Sequence, residues 1–213
     1  MKKNNYSDNV FINCPFDKAY KPFFRALIFT ILDCGFIPRC SLEIDDATQL
    51  RLSSIVSIIR QCKYGIHDLS RIKADRGTKL PRFNMPFELG IFYGAKNFGS
   101  GNQPKKNCII FEQKHYSYQK FISDLSGTDI RAHNNSIKKL IEDVRNWLTT
   151  SSKRRTIPQS KTIFSRYLKF QKYFEKICKV RAINFDKMPF VELSRNMSDW
   201  LNINQKVSSQ LFN

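Results

Sequence analysis

Asn9-Val-Phe-Ile-Asn-Cys14 is a short apolar run closed by Pro15, the form of a strand buried on both faces and followed by a loop. Phe23, Ala26, Leu27, Thr30 and Ile31 then recur at helical spacing, and Gly35 stands where a helix would end. Strand and helix together make one β-α step. Working outward, Phe36–Cys40 is a second, weaker strand whose Pro38 has no N–H to give a neighbour, which predicts an edge position. Leu52, Ile55, Ile58, Ile59 and Cys62 form one stripe of a helix expected over Ala47–Cys62. Tyr64–Asp68 is a third strand, Met85–Ala95 a helix and Asn107–Phe111 a fourth strand. A helix around Tyr116–Leu125, a strand over Asp129–Ala132 and a helix over Ile137–Leu148 complete the alternation. Such alternation predicts a parallel sheet wound by right-handed crossovers.

This α/β domain is expected over residues 1–148. A Ser-, Thr-, Lys-, Arg- and Pro-containing linker follows at 149–160. Over 161–213 two stripes predict a helical hairpin docked on the first domain or on another subunit: Ile163, Tyr167, Phe170, Phe174 and Ile177, then Phe190, Leu193, Met197 and Trp200.

Composition narrows the function classes. Hydrophobic residues make up 41% and charged residues 25% of the 213, a globular profile. No apolar run approaches the roughly 18 residues that span a bilayer, and the N-terminus has no apolar signal stretch, so a cytoplasmic protein with no membrane partner is expected. The six cysteines lack C-x-x-C or zinc spacing and read as reduced core residues, with no metal site. The net charge of +18 is spread along the chain: residues 1–150 hold 23 basic and 14 acidic side chains, and residues 151–213 hold 13 and 4. That spread fits a solvated surface better than a nucleic-acid face. Walker A, G-x-G-x-x-G, H-E-x-x-H and G-x-S-x-G patterns do not occur, which argues against P-loop, Rossmann, zinc-protease and serine-hydrolase chemistry.

Ligands of open parallel sheets bind beyond the carboxyl ends of the strands, and in the 2-1-3-4-5 order the crevice lies between strands one and three. Asn13, Pro15 and Phe16 would border it from one side, with Phe16 as a wall for a base, and Asp68 and Ser70 from the other. Asp68 serves equally well as a turn residue. Glu88 is more informative. It is the only charged side chain between Met85 and Ala95, and its helical neighbours are Ile91 and Phe92. Burial there raises a carboxyl pKa unless a partner offsets it, a perturbation that concentrates in functional sites. An acidic residue of a first helical turn or a capping box is the structural alternative, and the spacing fits it only in part. Gly90 and Gly94 suggest close backbone approach. Arg71 and Arg82 are candidate phosphate contacts, and His133 and Asn134 candidate crevice residues, although Asn-Asn also makes a turn. His67 reads as a satisfied core histidine.

Three stretches carry a resemblance: Val10-Phe-Ile-Asn-Cys-Pro-Phe-Asp17, Gly65-Ile-His-Asp-Leu-Ser70 and Pro86-Phe-Glu-Leu-Gly90. Over roughly residues 9–148 the chain resembles the nucleoside 2-deoxyribosyltransferase and TIR-like superfamily, including TIR-like proteins of bacterial antiphage defence. The resemblance implies a five-stranded parallel flavodoxin/TIR-like sheet flanked by helices, here with a C-terminal helical extension. It implies cleavage or exchange of the N-glycosidic bond of a nucleotide, with NAD or a deoxynucleotide as substrate and no separate cofactor. Glu88 and Asp68 would inherit the catalytic and ligand-binding roles, and a homo-oligomer or a defence-system protein would be the partner. Asn84-Met-Pro before Phe87 departs from the small Gly-Thr type loop usual in the transferases. The alternative from another class is a non-catalytic sensor that binds a nucleotide signal in the same crevice.

Overall fold

In the computed structural model, which describes residues 5–70 and 83–210 (side chains to 204), five strands form one parallel sheet. They are β1 (Asn9–Asn13), β2 (Ile37–Arg39), β3 (Tyr64–Asp68), β4 (Asn107–Glu112) and β5 (Arg131–Ala132), in the order 2-1-3-4-5. The chain is therefore an α/β protein with the expected parallel sheet. Pro38 lies in β2 at the sheet edge, where its missing N–H leaves no ladder bond unmade.

Among the described residues six α-helices accompany the sheet: α1 (Lys21–Asp33), α2 (Arg51–Arg60), α3 (Asn84–Phe98), α4 (Ile137–Ser152), α5 (Ser160–Val180) and α6 (Phe190–Gln210). Alternate strand residues face opposite layers. Val10, Ile12, Tyr64 and Ile66 join α1, α4, α5 and α6 in one large core, while Phe11 packs with Ile55, Ile58 and Ile59 of α2 and Phe92 of α3. Gly65 permits that second packing. A Cβ there would stand 2.8 Å from both the Phe92 ring and His67 Nε2.

The C-terminal helices do not stand apart. Phe29 of α1 packs on Tyr167 and Phe170 of α5 and on Trp200 of α6, at ring separations of 5.5 to 6.0 Å. The expected boundary at Leu148 falls inside α4, which runs to Ser152 and stops where Lys153 turns left-handed at φ 58°. The connection to α5 is held down by Arg145, which donates to the Pro158 and Ile157 carbonyls, and by burial of Ile157.

Two expected helices differ. Residues 47–50 do not join α2, because Asp46 captures the Thr48 N–H and hydroxyl and the Gln49 side chain in a local turn. Tyr116–Leu125 is not an α-helix but two short 3₁₀ turns, Tyr118–Lys120 and Ser123–Leu125. The buried Glu112 carboxylate accepts the N–H groups of Tyr116, Ser117 and Tyr118 at 2.6, 2.8 and 3.1 Å. Those donors close around an anion, with Tyr116 at φ 65°, and no longer point along a helix axis.

Candidate functional site

The register sets Asn13 beside His67 and Asp68 beside Phe111, so the tips of β1, β3 and β4 end at one level. Asp68 faces the α1 layer and is fully buried. Its carboxylate accepts the Tyr20 hydroxyl and, at 2.8 Å, the Ser70 N–H, and His133 Nε2 stands 3.3 Å away. Burial alone would push this carboxyl up; the hydrogen bonds from His133, Ser70 and Tyr20 overcome it and hold Asp68 below its ordinary value. Burial and the Asp68 charge hold the Tyr20 hydroxyl well above its ordinary value, so it stays a donor.

Asn135 N–H donates to His133 Nδ1 at 3.1 Å, which leaves the ring proton on Nε2, the nitrogen that faces both Asp68 and the Ser70 Oγ at 2.7 Å. A Ser-His-Asp relay needs serine and aspartate on different ring nitrogens. Here one nitrogen serves both, so the cluster is a positioning network and not a nucleophile-activating triad. Asn134, exposed at φ 51°, donates its backbone N–H to the Gln113 carbonyl, which is the turn role of Asn-Asn.

Glu88 sits in a different environment. Phe83 is the cap residue of α3 and Asn84 its first position, so Glu88 lies past the capping-box position and makes no capping bond. It is half-buried, and among the described residues no hydrogen bond reaches its carboxylate. Burial pushes its pKa up to about 7, against a smaller pull from Arg51. Glu88 lies one turn beyond Met85, whose carbonyl the end of β1 holds. The buried Cys14 thiol is held well above its ordinary value by burial and then by the fields of Asp68, Cys40, Glu88 and Asp17. Asp68 and Glu88 both contribute to the field at that thiol, which follows the first strand.

Asn13 ties these parts together. Its Nδ2 donates to the Met85 carbonyl in the first turn of α3 at 2.8 Å and stands 3.0 Å from His67 Nδ1. His67 is buried as expected, but its Nε2 has no hydrogen-bond partner among the described residues, and its ring meets Phe92 in a T-shaped pair. Burial, aided by Lys106, pushes its pKa down to about 3, so it stays neutral.

Pro15 and Phe16 border a cavity of about 380 Å³ on the α1 and α6 side, and Ser70 borders one of about 200 Å³ with Lys114, Ser117 and Tyr118. Neither cavity is lined by Asp68 or Glu88. We take Glu88 as the centre of the candidate site, because a half-buried carboxylate with a raised pKa and no hydrogen-bond partner among the described residues is of the kind that concentrates in functional sites, and volume alone does not mark one. Arg71 and Arg82 lie outside the described residues. Gly90 and Gly94 depart from expectation: a Cβ at either meets nothing within 4 Å among the described residues, so neither marks a close approach.

Sequence reasoning missed Tyr20, Cys14 and Arg51. Tyr20 carried a faint signal, as the polar aromatic three residues after Asp17, whose Oδ1 accepts the Tyr20 N–H at 3.1 Å. Phe87 was also missed. It is 56% exposed, one residue from the carboxylate. Among the described residues no helix is long and apolar enough to cross a membrane, and no group of His, Cys, Asp and Glu side chains could hold a metal ion. Comparison of the chain with models of known protein families, with curated proteins and with solved structures finds no match.

Proposed function

We propose that this protein is a cytoplasmic nucleotide N-glycosidic-bond hydrolase or transferase, acting on NAD or a deoxynucleotide in bacterial antiphage defence or a stress response. The observation that carries the reading is Glu88: a half-buried carboxylate without a hydrogen-bond partner among the described residues, its pKa near 7, in the helix whose first turn Asn13 at the end of β1 holds through the Met85 carbonyl. The likeness of its Pro86-Phe-Glu-Leu-Gly90 context to the nucleoside 2-deoxyribosyltransferases supports the same residue.

Breaking a C–N glycosidic bond sends the bonding electron pair to the base nitrogen and leaves positive charge on the sugar. A carboxylate at the anomeric carbon stabilises that charge. It either takes the proton of an attacking water, giving hydrolysis, or attacks the carbon itself and holds the sugar for transfer. A pKa near the working pH suits the proton-accepting role. Asp68 is too enclosed to touch a ligand. Its part is to hold Tyr20, Ser70 and His133, and through them the loop ends that border the crevice.

The test is base release. Purified protein and its Glu88→Gln variant are incubated with NAD and, separately, with deoxynucleotides, with and without extract of phage-infected cells, and free nicotinamide or nucleobase is followed by chromatography. The expected loss in the variant is about 10²–10⁴-fold, with nucleotide binding retained. Parent activity should rise with pH through about 7, because the ionised form of Glu88 is the acting one. Equal turnover by both proteins removes Glu88 from the chemistry.

A sensor that binds a nucleotide without cleaving it is the second reading, favoured by one observation. Tyr20, which donates to Asp68, immediately precedes α1, the helix on which α5 and α6 pack. Binding without base release in the parent protein supports this reading.

A further inference from the structure

The turn Phe185–Lys187, between α5 and α6, folds back over the first turns of α1. Lys21 donates to the Asp186 carbonyl, and Arg25 donates to the Asp186 carboxylate at 2.7 Å and to the Phe185 carbonyl at 3.1 Å. The Arg25 guanidinium also lies 3.7 Å from the centre of the Phe185 ring. Its side chain is 13% exposed, whereas that of Asp186 is 55% exposed. A well-packed cation is thus paired with an anion that water reaches easily. Asp186 is held low chiefly by its hydrogen bond from Arg25, with Lys21 and Lys18 adding to the pull.

Behind this pair lies the 380 Å³ cavity, walled by Phe16, Phe24, Leu42, Met188, Phe190 and Leu193, with Lys21, Arg25 and Lys187 as cations and Asp186 as the one carboxylate among the described residues that line it. Phe16 and Phe24 meet edge to face at 5.2 Å, and Phe190 lies 6.0 Å from Phe24, which gives the slot stiff apolar sides. Small-molecule sites run from roughly 300 to 1,000 Å³, mostly apolar with a few placed polar groups, and this cavity is a small member of that class.

We propose that this cavity binds a small amphiphilic anion, a carboxylate or phosphate on an apolar body, whose charged end replaces the Asp186 carboxylate on Arg25. The apolar body fills the aromatic slot, and Lys21 and Lys187 flank the charged end. Asp186 is then an internal competitor that satisfies Arg25 while the slot is empty. Its main chain stays anchored when the carboxylate leaves, because Asn184 Oδ1 accepts the Asp186 N–H at 3.0 Å. The site is separate from the Glu88 crevice and does not depend on the glycosidase reading. It shares α1 with the Asp68 network, since Phe23 stacks on Tyr20 at 5.4 Å and lies 5.0 Å from His133.

Calorimetric titration of the full chain with octanoate, octyl phosphate and 1-octanol tests the proposal. Saturable one-to-one binding is expected for at least one anion, at least about tenfold tighter than 1-octanol, the worth of a charge-assisted hydrogen bond. The stronger of the two anions identifies the headgroup. Asp186→Asn, on an exposed turn, should tighten anion binding severalfold, Arg25→Gln should weaken it about tenfold, and Leu193→Trp should block the slot. Equal binding of 1-octanol, no saturable anion binding by natively folded protein, or an Asp186→Asn variant that binds the anion no better than the parent overturns the proposal.

Discussion

The end of β3 and the first turns of α3 each carry a carboxylate, and the fold treats the two in opposite ways. Asp68 is wholly buried, accepts hydrogen bonds from Tyr20, Ser70 and His133, and is held low. Glu88 is only half-buried, yet its pKa rises to about 7. Depth of burial therefore does not set the direction of the shift; the presence of donors does. A satisfied carboxylate stabilises the fold, and an unsatisfied one stores a cost that a ligand or a reacting group can release.

The comparison breaks most readily at Asp68. Asp68→Ala leaves the Tyr20 hydroxyl and the Ser70 N–H without their acceptor in a buried place and His133 Nε2 with the Ser70 Oγ alone, and a loss of about 3–5 kcal/mol in denaturant unfolding at pH 7 is expected. Because the folded-state pKa of Asp68 lies below its ordinary 3.8, the contribution is present above that pH and disappears as pH falls through the folded value. A loss under about 1 kcal/mol would show that the network is not what holds the β3 end.

Glu88 should behave the other way. Its folded-state pKa exceeds the ordinary 4.5, so the folded protein pays for ionising it, and stability falls as pH rises from about 4.5 through about 7. Glu88→Gln should accordingly raise stability by at most about 3 kcal/mol at pH 8, less after allowance for partial exposure, and change nothing below pH 4.5. Thermal melts of both proteins at the two pH values check this. An equal effect at both would mean that packing, not charge, separates them.

The smallest effect sharpens the comparison at the joint between the two regions. Asn13→Ala removes the bond to the Met85 carbonyl and the contact to His67, and should cost about 1–2 kcal/mol. It should also loosen the first turn of α3, so that Glu88 sees more water and its pKa, followed by carboxyl carbon resonances, moves down from about 7. A Glu88 midpoint that stays put would separate Asn13 from the environment of the carboxylate.

Glu88 was legible in the sequence because its environment is largely made by its own helix. Ile91 and Phe92 follow at helical spacing, and Phe92 is fully buried under the sheet. The role of Asp68 was not. Tyr20 reaches it across 48 residues of chain and His133 reaches Ser70 across 63, and no local pattern announces such a meeting. Phe16, expected beside the ligand crevice, instead lines the cavity between α1 and α6, a direction fixed by Phe24 and Phe190. The helix expected at Tyr116–Leu125 failed for the same reason that Asp68 could not be read. Glu112 takes the N–H groups of that segment, and an anion bound by backbone donors overrides a weak helical pattern.

By itself the sequence determined the order of the five strands, the edge position of β2 through Pro38, the two apolar stripes of α5 and α6, and the one carboxylate that is hard to solvate. These are periodicities and near neighbours, set by side chains a few residues apart. Only the tertiary structure decided which carboxylate is satisfied, which nitrogen of His133 carries the proton and where the larger cavity lies. Each of those depends on donors, acceptors and rings brought together from distant segments by the burial of a common core.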